Sequence, residues 1–441
     1  MKKSKIANFL IGGLFSLGAL MFMTSCADIT ATKISTFEEL KNANGSIVLE
    51  NDIDCEFETI IKPINVTYVN GNNHKIKNLI LTNDGVDDPI ALFNGSYGNN
   101  KATIKDIDFE NVTVKSNAQV GASVVAGYGV KQIKNVNVTN STIETTQACS
   151  SGITQNLFPV SVGFIHSGLS RNSNKQYVYS DVKIENCTVK GSSITVKPFE
   201  GNKDNSSGKI YAGLIAGLGS ASNSHVSSSS LKIESKAYGT DMFAGGIIGK
   251  LLGEKLDYCT VRDSEITSYN TNYSSIFTEI HGSTEYVGGI VGVTNEETKS
   301  AELSHNEFSN SKIDAVATGV SYVGGIAGTS YASISQSLSR NNEISVRGQM
   351  AEKESRGTGG MAGLCSNSSI STSISRDNDF IDDCKTQYGF VGGIAGSLKS
   401  SSIVFSAAGN NTFDTKNGET RKDELSPQIE NSMSCFVRAT E

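Results

Sequence analysis

The 441-residue chain has no Trp, only 5 Pro and only 5 His. Each shortage excludes something. Sugar platforms stack rings on exposed aromatics, so the lack of Trp weighs against one. Proline removes a ladder donor, so its scarcity fits a chain that is hydrogen-bonded strand along most of its length. None of His74, His166, His225, His281 and His305 stands in H-E-x-x-H, which excludes a zinc peptidase of that type. No cysteine pair has C-x-x-C spacing. Cys55, Cys149, Cys187, Cys259, Cys365, Cys384 and Cys435 are an odd, scattered set, which reads as buried thiols without a disulfide framework. A basic stripe is missing as well. Residues 1–25 hold three lysines and no acid, so the remainder carries 35 Lys plus Arg against 45 Asp plus Glu, a net −10 (35 − 45). Nucleic acid is therefore excluded as a partner, because that binding depends on neutralising phosphates.

Long apolar runs are absent except at the start. Lys2, Lys3 and Lys5 precede an apolar or small stretch from Phe9 to Met23, followed by Thr24, Ser25 and Cys26. The run is roughly fifteen residues, short of the ~20 of a bilayer span. It reads as a secretory signal over residues 1–25. Its end resembles the lipobox of bacterial lipoproteins, with Met23 where Leu is usual. That resemblance implies export, acylation of Cys26 as the new amino terminus, and a membrane as partner through the lipid. Residues 26–34 would form a short tether.

Glycine is abundant, at 44 residues. It recurs in a motif: Tyr286-Val-Gly-Gly-Ile-Val-Gly292, Tyr322-Val-Gly-Gly-Ile-Ala-Gly328 and Phe390-Val-Gly-Gly-Ile-Ala-Gly396, with weaker copies at Tyr211, Phe243 and Gly357. Degenerate copies are Ala91–Gly95, Ser123–Gly127 and Val162–Ser167. The period is mostly near ~35 residues, the signature of stacked supersecondary units. After each motif comes an alternating run such as Ile184–Val189 or Leu256–Val261, then a shorter one such as Ile194–Val196. Alternation and Asn, Ser or Gly breaks predict short strands, three per repeat. About nine repeats over residues 35–416 predict an all-β, parallel β-solenoid. Within Tyr322–Gly328, read as one strand, neither face is polar. The expectation is a strand covered on both sides, lying under a loop or against the next turn. Thr36 and Glu39 have capping-box spacing, predicting a short amino-terminal capping helix that buries Phe37 and Leu40. Residues 417–441 are polar, with Ser434–Arg438 as one last strand.

These repeats resemble the GLUG-motif family, through Gly213-Leu-Ile-Ala-Gly217 and its Gly-Gly-Ile-x-Gly variants between Phe93 and Gly396, with Asn70–Leu79 as an entry coil. The resemblance implies a right-handed parallel β-helix in a bacterial surface protein and no single activity.

Chemistry is sparse. No Ser or Cys has a nucleophile-elbow setting, and Gly-Gly-Ile-x-Gly lacks the Lys-Ser/Thr of a phosphate loop. The acids Asp377, Asp379, Asp382 and Asp383, and Asp84, Asp87 and Asp88, match no calcium motif. The expectation is therefore no catalytic residue, no metal and no cofactor. Cys187 and Cys259 share the slot x-Cys-Thr-Val, with Ser224 in the weaker repeat between. They are expected to be free thiols in one inward column, with serine replacement costing about 1–3 kcal/mol. The functional expectation is a lipid-anchored β-helix for adhesion to, or display at, the cell surface, with a protein or glycan ligand. The alternative is a carbohydrate-active β-helix enzyme, which would gather three or more charged side chains in one groove.

Overall fold

The structure, a computed structural model, describes residues 30–435 apart from 84–88, 97–100, 117–119, 147–158, 172–175, 199–206, 237–238, 271–282, 298–299, 349–355, 385–388, 416–420, 424, 427 and 431–432. One coil comprises the strands Ser321–Gly324, Ala327–Ser330, Ser333–Ser335, Leu338–Arg340 and Glu343–Gly348. Each pairs in parallel with its equivalent in the next coil, Arg356–Gly359, Ala362–Ser366, Ser369–Ser371, Ile374–Arg376 and Asp379–Cys384. The first strands of successive coils stack into a nine-stranded sheet, and the others join a 36-stranded one. The fold is a parallel β-solenoid. The degenerate motifs stack in the same file, through bridges from Phe93 to Ala126, Ala126 to His166 and His166 to Ala216.

The expectation of three strands per repeat is corrected to five. Tyr322–Gly328 is two strands meeting at a bend over Gly325 and Ile326, and Ile184–Val189 is likewise two. Glycine explains the first corner. A Cβ on Gly324 would lie 2.8 Å from the Ala362 Cα, and one on Gly328 would lie 2.5 Å from the Val287 nitrogen. The first strand of one coil therefore runs against the second strand of the next at backbone contact, which only glycine permits. Both faces are covered, as expected. Where this seam opens outward, Tyr211, Phe243, Tyr286 and Tyr322 form a file of rings with successive centroids 4.9, 5.4 and 6.0 Å apart. Leu218 and Val293 pack with the first three of these rings in a small second core.

Two other corners turn on a single left-handed residue. Asn186 and Asn223 stand between third and fourth strands, and Asn310 and Asn341 between fourth and fifth, all with φ of 45–54°. Asparagine tolerates that region better than other side chains. The connection from fifth strand to the next first strand instead varies, with three residues between Ser235 and Gly239 and fourteen between Asn270 and Glu285.

At the amino-terminal end, helix α1 (Phe37–Lys41) carries the expected capping box between Thr36 and Glu39. Leu40 is fully buried and Phe37 partly so against the core. The ladder already begins at Thr32–Ile34, which pairs with Ile47–Leu49. At the other end Arg421–Asp423, Gln428–Glu430 and Met433–Cys435 each pair in parallel with the preceding coil. The solenoid thus runs past residue 416.

Candidate functional site

Cys26 lies outside the described residues, as do Cys149, His281, Asp84, Asp87 and Asp88. The thiols of Cys187 and Cys259 are free, fully buried, and in one file with Ser224 between them. The file is a ladder of side chains that accept from the backbone of the preceding coil. Cys187 N–H donates to Ser224 Oγ at 3.3 Å, Ser224 N–H donates to the Cys259 sulfur, and Cys259 N–H donates to Asn306 Oδ1 at 3.0 Å. Asn306, Ser337 and Ser373 N–H then donate to Ser337, Ser373 and Ser406 Oγ. The expected serine penalty is therefore corrected: the slot is built for a hydroxyl, and the cysteines occupy it as polarisable acceptors. Burial pushes both thiols up to about 12.

A parallel ladder lines the next corner. Ser141, Ser192, Ser229 and Ser264 N–H donate to Ser192, Ser229, Ser264 and Ser311 Oγ at 3.1–3.2 Å. Ser311, Asn342 and Asn378 continue it onto Asn342, Asn378 and Asn411.

The histidines do not meet. His74 faces Asp52 at 3.2 Å, His225 faces Thr260 Oγ1 at 2.9 Å, and His305 stacks on Tyr258 at 4.3 Å. His166 is fully buried in a slot that Ala126 and Ala216 fill in adjacent coils, and burial lowers it to about 4. The acid cluster divides: Asp377 and Asp379 face outward, whereas Asp382 is buried against the Arg356 guanidinium at 3.1 Å. Among the described residues no group of His, Cys, Asp and Glu is placed to hold a metal.

Sequence reasoning missed Arg356 and Glu285. Both precede the glycine motif, in a file that runs Met242, Glu285, Ser321, Arg356, Gly389. Aligning repeats on the residue before the motif would have exposed two ionisable groups in an inward slot. Glu285 is fully buried, takes a hydrogen bond from Ser268 Oγ at 3.0 Å, and burial raises its carboxyl well above the usual range.

One open groove of about 1100 Å³ follows the fourth-to-fifth corner from Gly191 to Asp379. Asp263, Glu265, Lys312, Glu343, Asp377 and Asp379 line it among serines and asparagines. More than three charged side chains thus share one groove. They are strung along the axis: Glu265, Lys312, Glu343 and Asp379 are register partners in successive coils, ~4.8 Å apart. Lys312 pairs with Glu343 at 2.8 Å.

No family model and no curated protein matches the chain. Among solved structures it is similar to PfbA, a surface adhesin of Streptococcus pneumoniae, at 10% identity over 91% of this chain and 86% of that one, with a TM-score of 0.28. It is also similar to the SRRP of L. reuteri 53608, at 12% identity over 93% and 99%, with a TM-score of 0.17.

Proposed function

We propose that the chain is a lipid-anchored surface protein of the GLUG-repeat kind, whose solenoid presents a binding face for adhesion. The observation that supports this best is the disposition of its charged groups. Arg356, Asp382 and Glu285 are sealed in the core, and the groove carboxylates are spread coil by coil in the open. Such a surface suits repeated weak contacts along an extended ligand, where avidity multiplies affinity. The anchor is tested by Cys26→Ser, which is expected to release the protein from membranes or block its processing. Unchanged partitioning into the detergent phase rejects the anchor. Screening the purified mature chain on a glycan and matrix-protein array tests adhesion, and silence across both rejects it.

The shared groove also favours a second reading, a carbohydrate-active enzyme. Paired carboxylates at suitable separation are the requirement for glycoside hydrolysis. Release of reducing ends from polysaccharides, abolished by Glu343→Gln or Glu265→Gln, would replace adhesion with catalysis.

A further inference from the structure

We propose that the helix-capped end of the solenoid is a membrane-seating surface, with Phe57 and Ile61 entering the headgroup region of the bilayer that holds the lipid on Cys26. The proposal rests on the lipid-anchor reading and adds a contact to it. From Cys26 to Thr32, the first ladder residue, is six residues. Fully extended, they reach at most ~22 Å. The capped end is therefore held close to the bilayer surface, whatever path the tether takes.

That end carries apolar side chains without an internal partner. Phe57 is 57% exposed and Ile61 54%, while Ile60 beside it is turned into the core. Phe57 also has φ 62°, after Glu56 at φ 50°. Phe405, at the far end of the stack, has the same left-handed backbone (φ 50°) and is 72% exposed, so nearness to the tether, and not exposure or strain, is what singles out Phe57. Phe57 N–H donates to the Asn78 carbonyl at 2.7 Å, which holds the turn in shape. Lys41 of α1 reaches Glu58 at 3.4 Å, so the turn lies beside the cap.

Electrostatics choose the kind of bilayer. Between Thr32 and Lys62 stand Glu38, Glu39, Glu50, Asp52, Asp54, Glu56 and Glu58 against Lys33, Lys41 and Lys62, a net −4 (3 − 7). Contact is therefore through apolar insertion, on zwitterionic lipid, and anionic lipid opposes it.

The test uses the full lipidated protein in phosphatidylcholine vesicles, with a polarity-sensitive fluorophore on Phe57→Cys, Ile61→Cys or, as a control about ten coils (roughly 48 Å) away, Phe405→Cys. The described native thiols are buried, and unsubstituted protein supplies the labelling background. Expected is a blue shift and at least twofold quenching by spin-labelled lipid at positions 57 and 61, none at 405, and weaker quenching when phosphatidylglycerol is added. Vesicle-bound protein with 57 as unquenched as 405 overturns the proposal, and quenching strengthened by phosphatidylglycerol overturns the apolar mechanism. If Cys26 carries no acyl mass, the anchor reading fails by itself. The same labels are then read on protein held to nickel-chelating vesicles by an amino-terminal histidine tag, where absence of quenching overturns the seating surface too.

Discussion

Replacing Cys187 separates two accounts of its slot. If the thiol is a small hydrophobe, alanine should be tolerated better than serine. The ladder demands the reverse. Cys187 sulfur accepts the Val136 N–H and lies 3.4 Å from the Glu185 carbonyl oxygen, the same two roles Ser224 Oγ plays toward Cys187 N–H and Ser222 O. Cys187→Ser keeps an acceptor and a donor and should change stability by less than about 1 kcal/mol. Cys187→Ala leaves the buried Val136 N–H without an acceptor and should cost about 1–3 kcal/mol. Ser224→Ala should cost the same by stranding Cys187 N–H. Stacked repeats do not unfold as one two-state unit, so a global melt is the wrong measure. Hydrogen exchange at the Val136 and Cys187 amides reads the local opening free energy directly. The reasoning fails if the serine variant exchanges as fast as the alanine variant, or faster.

His166 has a depressed pKa, near 4 against 6.5 unfolded, so its contribution is present above pH 6.5 and lost as pH falls through 4. The loss is about 3 kcal/mol (2.5 × 1.36), and His166→Leu should flatten the local opening free energy that hydrogen exchange reads at the amides of residues 165–167 across that window. Glu285 has the opposite sign: its raised carboxyl pKa means that stability falls as pH rises above the unfolded value, 4.5. Glu285→Gln should therefore stabilise increasingly toward alkaline pH, and a constant offset between wild type and variant would contradict it. Tyr286 and Tyr322 are register partners, so deleting residues 286–321 splices equivalent points and should leave a soluble β-rich chain. A half-coil cut, residues 286–304, joins points that are not register partners, leaves unmatched edges and should aggregate; equal sedimentation of the two would argue against modular stacking.

The period was legible because backbone contact at Gly324 and Gly328 forbids other residues, so the motif is written in glycine. The bend inside it was not legible. Tyr-Val-Gly-Gly-Ile alternates like one strand, and nothing in five letters marks a corner whose cause is the neighbouring coil. The cap was legible from Thr36 and Glu39, because a capping box is local. The polar character of the thiol slot was misjudged because cysteine usually counts as apolar; Ser224 and Asn306 in the same file held the correcting signal. The charged groove escaped notice since its members are some 35 residues apart and converge only through stacking.

Chain length is free at two corners of each coil, between fifth and first strands and between second and third, where seven residues separate Thr294 from Glu302 and two separate Ser330 from Ser333; it is fixed at the corners that turn on a single left-handed residue. Adding a residue beside Asn341 would shift the fifth strand by one place and turn Ile344 and Val346 outward, because strand faces alternate. Adding ten between fifth and first strands alters no register, and loop closure grows by only ~0.6 kcal/mol for each doubling of length. The interval from Asn270 to Glu285 has already absorbed such growth relative to Ser235 to Gly239. Variation, whether by selection or by design, thus accumulates along particular edges of the molecule, and a new binding loop placed on one of them would inherit a rigid frame without having to re-solve the fold.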